Sequence, residues 1–267
     1  MKKIVQISSP RSGSNLFCQM VEHFSNMSVK YEIFHKKDEW IMKMMREVCE
    51  SEDPSPGILS FAKDFVEGKI KWNKQEVFKK KNIVKLIEEY MSCLGIENFY
   101  FKLFSEHLNK SRRYELISRC DGMVFIERNI IDSLISYEKA LYCKEWSNAN
   151  TSSFKIEFKP ERYEWFKKRF IFPKNEMKDV AKNMQIPFFC IRYEDFAKLT
   201  HAEKTKLVKK LMLDNFNIDC GEFDTENYNY ARFKKQDSSS YFYQKLSNPK
   251  LFREYYESVI KYEIDQV

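Results

Sequence analysis

The run Ile4-Val5-Gln6-Ile7 leads at once into Ser8-Ser9-Pro10-Arg11-Ser12-Gly13-Ser14-Asn15, after which Leu16, Met20 and Phe24 recur at helical spacing. The pattern reads as a strand, a tight loop and a helix. In that setting successive backbone N–H groups and a helix N-terminus point at one spot and favour a phosphate or sulfate. Arg11 adds a fixed positive charge, and the Ser12 and Ser14 hydroxyls add donors. The same residues also read as an ordinary Ser/Gly turn that caps a helix. A Walker A loop needs a Lys after its last Gly, where this chain has Ser14, so a standard ATP or GTP site is disfavoured.

Outward from that loop, residues 29–34, 99–104, 123–126 and 188–191 read as further short strands, the last introduced by Pro187. Between them lie helical patterns over 37–50, 58 to about 94 (one or two helices, ending at Gly95), 130–142, 162–184, 200–213 and 251–262. Strands separated by helices throughout predict an α/β fold with a mainly parallel central sheet and helices on both faces. With no internal repeat and no low-complexity linker, residues 1–267 read as a single domain. Residues 51–57 form the clearest loop, and 144–160, rich in Ser and Asn, read as a loop or lid.

A chain of 267 residues is long enough to bury a sizeable core, which excludes a disulfide mini-scaffold. Its 43% hydrophobic and 16% aromatic residues can offset the entropy of ordering, so it is expected to fold by itself. Lys and Arg (46) exceed Asp and Glu (39) by 7, a mild basic bias that suits a small anionic ligand better than nucleic acid. Seven cysteines, at least 23 positions apart and without a C-x-x-C pair, read as reduced and mostly buried thiols. No signal peptide fits the N-terminal residues, and no stretch approaches the ~18 apolar residues of a membrane span, so a cytoplasmic location is expected. Neither H-E-x-x-H nor EF-hand spacing occurs, and no metal site is expected.

A second constellation is Phe125-Ile126-Glu127-Arg128, with Ser136 eight positions after Arg128, about two helical turns on. A guanidinium at a strand end and a hydroxyl on the next helix can grip one phosphate from two sides. Taken alone, Arg128 reads equally well as a local cap or ion-pair partner. Together the two segments resemble the PAPS-dependent sulfotransferases, of bacterial and carbohydrate type, which use 3′-phosphoadenosine 5′-phosphosulfate (PAPS). In that family a Pro-Arg/Lys-Ser-Gly-Ser/Thr loop after the first strand holds the 5′-phosphosulfate. An Arg after a strand, with a Ser eight residues on, holds the 3′-phosphate.

A looser match, Lys234-Lys235-Gln236 followed by Leu246-Ser247-Asn248, is similar to a segment that closes over the cosubstrate in bacterial relatives. As residues alone it reads as a solvated basic loop. The resemblance implies a P-loop-like fold, PAPS as cosubstrate, adenosine 3′,5′-bisphosphate (PAP) as product and no metal. It also implies Arg11, Ser12, Gly13, Ser14, Asn15, Arg128, Ser136, Lys235 and Gln236 as nucleotide-binding residues. Residues 37–98 match nothing in the family and, with 144–160, are expected to shape acceptor choice.

Two groups compete for the role of base. Glu32 lies on or just after the second strand, at the sheet end beside the phosphate loop, between apolar Tyr31 and Ile33, a setting that suits a proton acceptor. Carbohydrate and bacterial sulfotransferases resemble this arrangement. His107 ends the 99–104 strand, and other branches of the family carry a Lys and a His near such a strand end; Glu32 ranks first and His107 second. Lys102 either neutralises charge on the bridging phosphosulfate or snorkels beside its aromatic neighbours. His23 and His201 read as structural, Asp195 is kept out of the site, and Tyr142, Trp146, Tyr241 and Tyr243 are candidates to line an acceptor pocket.

The implied reaction is transfer of a sulfuryl group from PAPS to a hydroxyl, less readily an amine, of a small-molecule, carbohydrate or glycolipid acceptor. Glu32 takes the proton and the acceptor attacks in line with the departing 5′-phosphate. Arg11 and Lys102 face the developing charge. Two anion sites, one at the N-terminal turn and one midway along the chain, are expected to hold opposite ends of the nucleotide. Another P-loop-like phosphotransferase, such as a small-molecule kinase, and a non-catalytic nucleotide-binding relative stay open as alternatives, as does the oligomeric state.

Overall fold

The computed structural model describes residues 1–34, 39–70, 83–144, 146, 151, 153–228 and 242–260. Five strands, β1 (Lys2–Ser8), β2 (Ser28–Lys30), β3 (Asn98–Phe104), β4 (Gly122–Glu127) and β5 (Phe188–Arg192), form one sheet in the order β2-β3-β1-β4-β5. Every pairing is parallel, from Ile4 opposite Tyr100 to Met123 opposite Phe188. The chain has the expected α/β, P-loop-like architecture, and its sheet is wholly parallel.

Alternation along the strands divides the core between two faces. Val5, Ile7, Phe99, Phe101, Leu103, Met123 and Phe125 point to one face. There they meet α2 (Glu39–Glu50), α3 (Pro56–Val66), α4 (Ile83–Cys93), α5 (Lys110–Ile117) and α8 (Phe172–Asn183). Ile4, Tyr100, Val124, Ile126, Phe189 and Ile191 point the other way, onto α1 (Ser14–Glu22), α9 (Tyr193–Lys198) and α10 (His201–Phe216). A third cluster lies beside the sheet. It joins α6 (Ile130–Cys143), α7 (Pro160–Phe166), a π turn over Lys167–Ile171 and the segment from Leu246 through α11 (Pro249–Tyr255).

Capping chemistry fixes several helix ends. Thr200 accepts from the Glu203 N–H while Glu203 reaches back to the Thr200 N–H, a capping box worth about 1 kcal/mol. Asn129 caps α6 by accepting from Ile131 and Asp132. Gly95 ends α4 at φ +63°, with the Ile96 N–H returning to the Met91 carbonyl at 2.8 Å.

The expected 162–184 helix is present as α7, the π turn and α8 in continuous succession. Helix α5 was not expected. Its eight residues bury only Arg113, Leu116 and Ile117, too little apolar periodicity to stand out.

The expected strand over 29–34 is shorter than its apolar content implies. Period-two alternation places Tyr31 and Ile33 on one face, but Tyr31 packs among the α1-side residues and Ile33 among the α2-side residues. The ladder therefore stops at Lys30. Of the seven cysteines, all are free; Cys18, Cys120 and Cys220 are buried, Cys190 is exposed and the other three are half-buried, fewer buried than expected.

Candidate active site

Strand β1 connects toward β2 at one edge of the sheet, and β4 connects toward β5 at the other. The chain thus reverses direction between β1 and β4, and parallel sheets bind ligands outside the strand carboxyl ends at such a point. The loop after β1 lies there. Arg11 (φ 64°) and Gly13 (φ 79°) both adopt left-handed backbone, which turns the chain sharply enough for Ser14 to start α1. Gly13 is required for a second reason: a Cβ there would sit 2.0 Å from Cδ2 of Tyr193.

No side chain caps α1. Ser12 and Ser14 therefore do not behave as cap residues, and the first N–H groups of α1 keep the positive end of the helix dipole at the strand ends. The Ser12 hydroxyl is buried and makes no hydrogen bond.

The two sequence segments expected to form separate grips are in contact. Arg128 Nη1 donates to the Arg11 carbonyl at 2.6 Å, and Arg11 Nε donates to Ser136 Oγ at 3.0 Å. Arg11 Nη1 also donates to the Trp146 carbonyl. Because β1 and β4 are neighbours, both motifs emerge side by side and form one continuous basic surface. The Arg128 guanidinium lies 4.6 Å from the centre of the Tyr193 ring, so Tyr193 props both Arg128 and Gly13. Arg128 Nε is buried without a hydrogen-bond partner, and among the described residues Arg128 makes no ion pair. Burial first, then the neighbouring charge of Arg128, lowers the Arg11 pKa to about 10.

The second cluster stands at the carboxyl end of β3. Lys102 is almost fully buried, donates to Asn15 Oδ1 and pairs with Glu32 Oε1 at 2.6 Å. Its ammonium lies 4.8 Å from the Phe104 ring centre and does not snorkel to solvent. Glu32 Oε2 is 3.9 Å from His107 Nε2. The apolar flanks of Glu32 point away into the two cores, and its carboxylate faces Lys102 and His107. His107 Nδ1 accepts the Phe104 N–H at 3.3 Å, so a neutral ring carries its proton on Nε2, toward Glu32. Arg113 of α5 fixes this turn by donating to the Ser105 and Leu108 carbonyls at 2.7 and 2.8 Å.

Glu32, Lys102, His107 and Asn15 thus form one chain of contacts that joins the phosphate-type loop through α1. Tyr193 and Arg113 were not singled out from the sequence. Tyr193 lies two positions before Asp195, at the start of α9, and Arg113 lies in the unexpected helix. Asp195 is exposed and faces Arg192 and Lys198 at 3.8 Å, apart from the site. His23 and His201 pack on Phe223 and Tyr228. Asn248 holds the backbone of Phe158 from both sides, at 2.7 and 2.8 Å, and clamps the third core.

Lys235, Gln236 and Tyr241 lie outside the described residues, as does the side chain of Tyr243. Among the described residues no group of His, Cys, Asp or Glu is arranged to hold a metal, and no helix is long and apolar enough to cross a membrane.

No family model matches the chain, and no curated protein matches it. Among solved structures it is similar to the "Sulfotransferase Domain from the Curacin Biosynthetic Pathway". The two share 14% sequence identity over 94% of this chain and 86% of the other, with a TM-score of 0.47.

Proposed function

We propose that the protein transfers a sulfuryl group from PAPS to an acceptor hydroxyl. The observation that carries this reading is the junction of the two clusters: a basic surface of Arg11, Arg128 and the α1 N-terminus adjoins the balanced Glu32–Lys102–His107 group. The first suits the phosphates of a nucleotide. The buried, unpartnered Ser12 hydroxyl and Arg128 Nε are donors that a phosphate or sulfate oxygen would satisfy. The second suits proton removal from a hydroxyl. Glu32 accepts the proton, with His107 beside it, while Lys102 pairs with the carboxylate and faces Asn15 at the head of α1.

As the bridging bond breaks, charge grows on the leaving phosphate oxygen. Arg11 and the N–H groups after Gly13 stabilise that charge more than the ground state. Within this reading residues 1–267 act as one domain, with 37–98 and 144–160 shaping the acceptor side. The test is incubation of the purified protein with ³⁵S-labelled PAPS and a panel of sugars, glycolipids, phenols and alcohols. Label in an acceptor, lost in Arg128→Ala, is the expected result; calorimetry in which neither PAPS nor PAP gives heat sinks the reading.

A further inference from the structure

An aromatic wall outside the groups used above runs from Ser136 to the turn that carries His107. Tyr137 is at its centre, with ring centres 5.5 Å from Trp146, 5.9 Å from Trp165 and 5.5 Å from Phe170. One end of the wall is tied to the basic surface, because the Trp146 carbonyl receives Arg11 Nη1 and Tyr137 follows Ser136 in α6. The other end is tied to the base, because Ser105 Oγ donates to the Arg169 carbonyl at 3.3 Å and Arg169 pairs with Glu106, the neighbour of His107. Trp146 presents an open ring, with 49% of its surface exposed.

Two rigid forks flank these rings. Arg162 gives Nε and Nη2 to one oxygen of Glu138 at 3.0 and 2.6 Å, and Arg169 gives the same pair to one oxygen of Glu106 at 3.0 and 2.9 Å. Both guanidiniums lie against Trp165, at 4.2 and 5.5 Å from its ring centre, which holds them in place. Among the described residues only one oxygen of each carboxylate is engaged, and each fork is charge-neutral.

From this arrangement we infer that Trp146 and Tyr137 form the platform for an uncharged pyranose, whose C–H face lies on the indole and whose hydroxyls reach the Glu106–Arg169 and Glu138–Arg162 forks. Calling the sugar the acceptor rests on the sulfuryl-transfer reading. A phenol needs an enclosed apolar slot with one polar partner, whereas this wall is open and edged by fixed donors and acceptors. At the forks an anionic sugar meets no unmatched guanidinium, since Arg162 and Arg169 are each matched by a carboxylate.

Saturation-transfer NMR on the full-length protein, with and without PAP, tests the inference with methyl β-glucopyranoside, methyl β-galactopyranoside, phenol and methyl β-glucuronide; PAP binding is followed in parallel by calorimetry. The hexosides are expected to be saturated on their ring C–H protons. Trp146→Ala, which keeps the carbonyl that holds Arg11, is expected to weaken that signal about tenfold. The PAP heat is expected to be unchanged, and Trp146→Phe is expected to retain most of the sugar signal. Saturation of phenol or the glucuronide in place of the hexosides overturns the platform, as does a hexoside signal that survives Trp146→Ala. Hexoside binding without PAP heat retains the platform and removes the sulfuryl-transfer reading. The reverse pattern removes the platform alone, and absence of both removes both.

Discussion

At the carboxyl ends of β1 and β4 two arginines meet, the Arg128 guanidinium donating to the Arg11 carbonyl, whereas those of β2 and β3 hold an ammonium matched by a carboxylate. Burial first, and then the like charge of Arg128, lower the Arg11 pKa to about 10. An unlike pair in contact has its charge settled within the protein. Under the proposed sulfuryl transfer the contrast assigns two tasks to one site: the first region receives an anion, and the second handles a proton.

Removing one member of each pair breaks the comparison most sharply. Glu32→Gln leaves the Lys102 ammonium buried and unmatched, so a loss of about 3 kcal/mol in unfolding free energy is expected, read by urea denaturation. Equal stability of the variant would mean that Lys102 is not held by Glu32. Arg11→Ala is expected to lower turnover with PAPS about 10²-fold if it faces the developing charge. A near-normal rate removes Arg11 from the reaction. The same contrast predicts that inorganic sulfate raises the melting temperature of the wild type by a few degrees. That shift is expected to shrink in Arg128→Ala and to persist in Glu32→Gln.

The smallest expected effect concerns His201, remote from both pairs. Burial, then Lys204 and His23, lowers its pKa below the ordinary value of 6.5. The unfolded chain therefore takes up the proton first. Stability is fully present above pH 6.5 and declines as the pH falls through that value toward the lower pKa of the folded state. Thermal melts between pH 7 and pH 5 are expected to show a shallower slope in His201→Gln.

Much of this was legible in the sequence because local signals agreed. The Ile4–Ile7 run, the Gly13 turn and the Leu16/Met20 spacing all pointed to strand, loop and helix. The candidate residues of three segments were picked out because their residue types bear chemistry. Their mutual contacts were not legible: that Arg128 touches the Arg11 carbonyl follows from β1 and β4 being neighbours, which strand order alone decides. That Glu32 and His107 stand close together was not legible for a similar reason, since β2 and β3 pair and bring both to one place. Tyr193 was passed over because its partners lie more than 60 positions away in sequence, and α5 because a mostly polar helix carries little periodic signal.

The early end of β2 has its own consequence. Beyond Lys30 the backbone is tied to the neighbouring strand through the Lys102 N–H and the Tyr31 carbonyl at 2.7 Å, while Tyr31 and Ile33 are driven like pegs into opposite cores. Glu32 stands on the span between those pegs, so the seating of its two buried neighbours, rather than a continued ladder, fixes where its carboxylate meets Lys102 and His107.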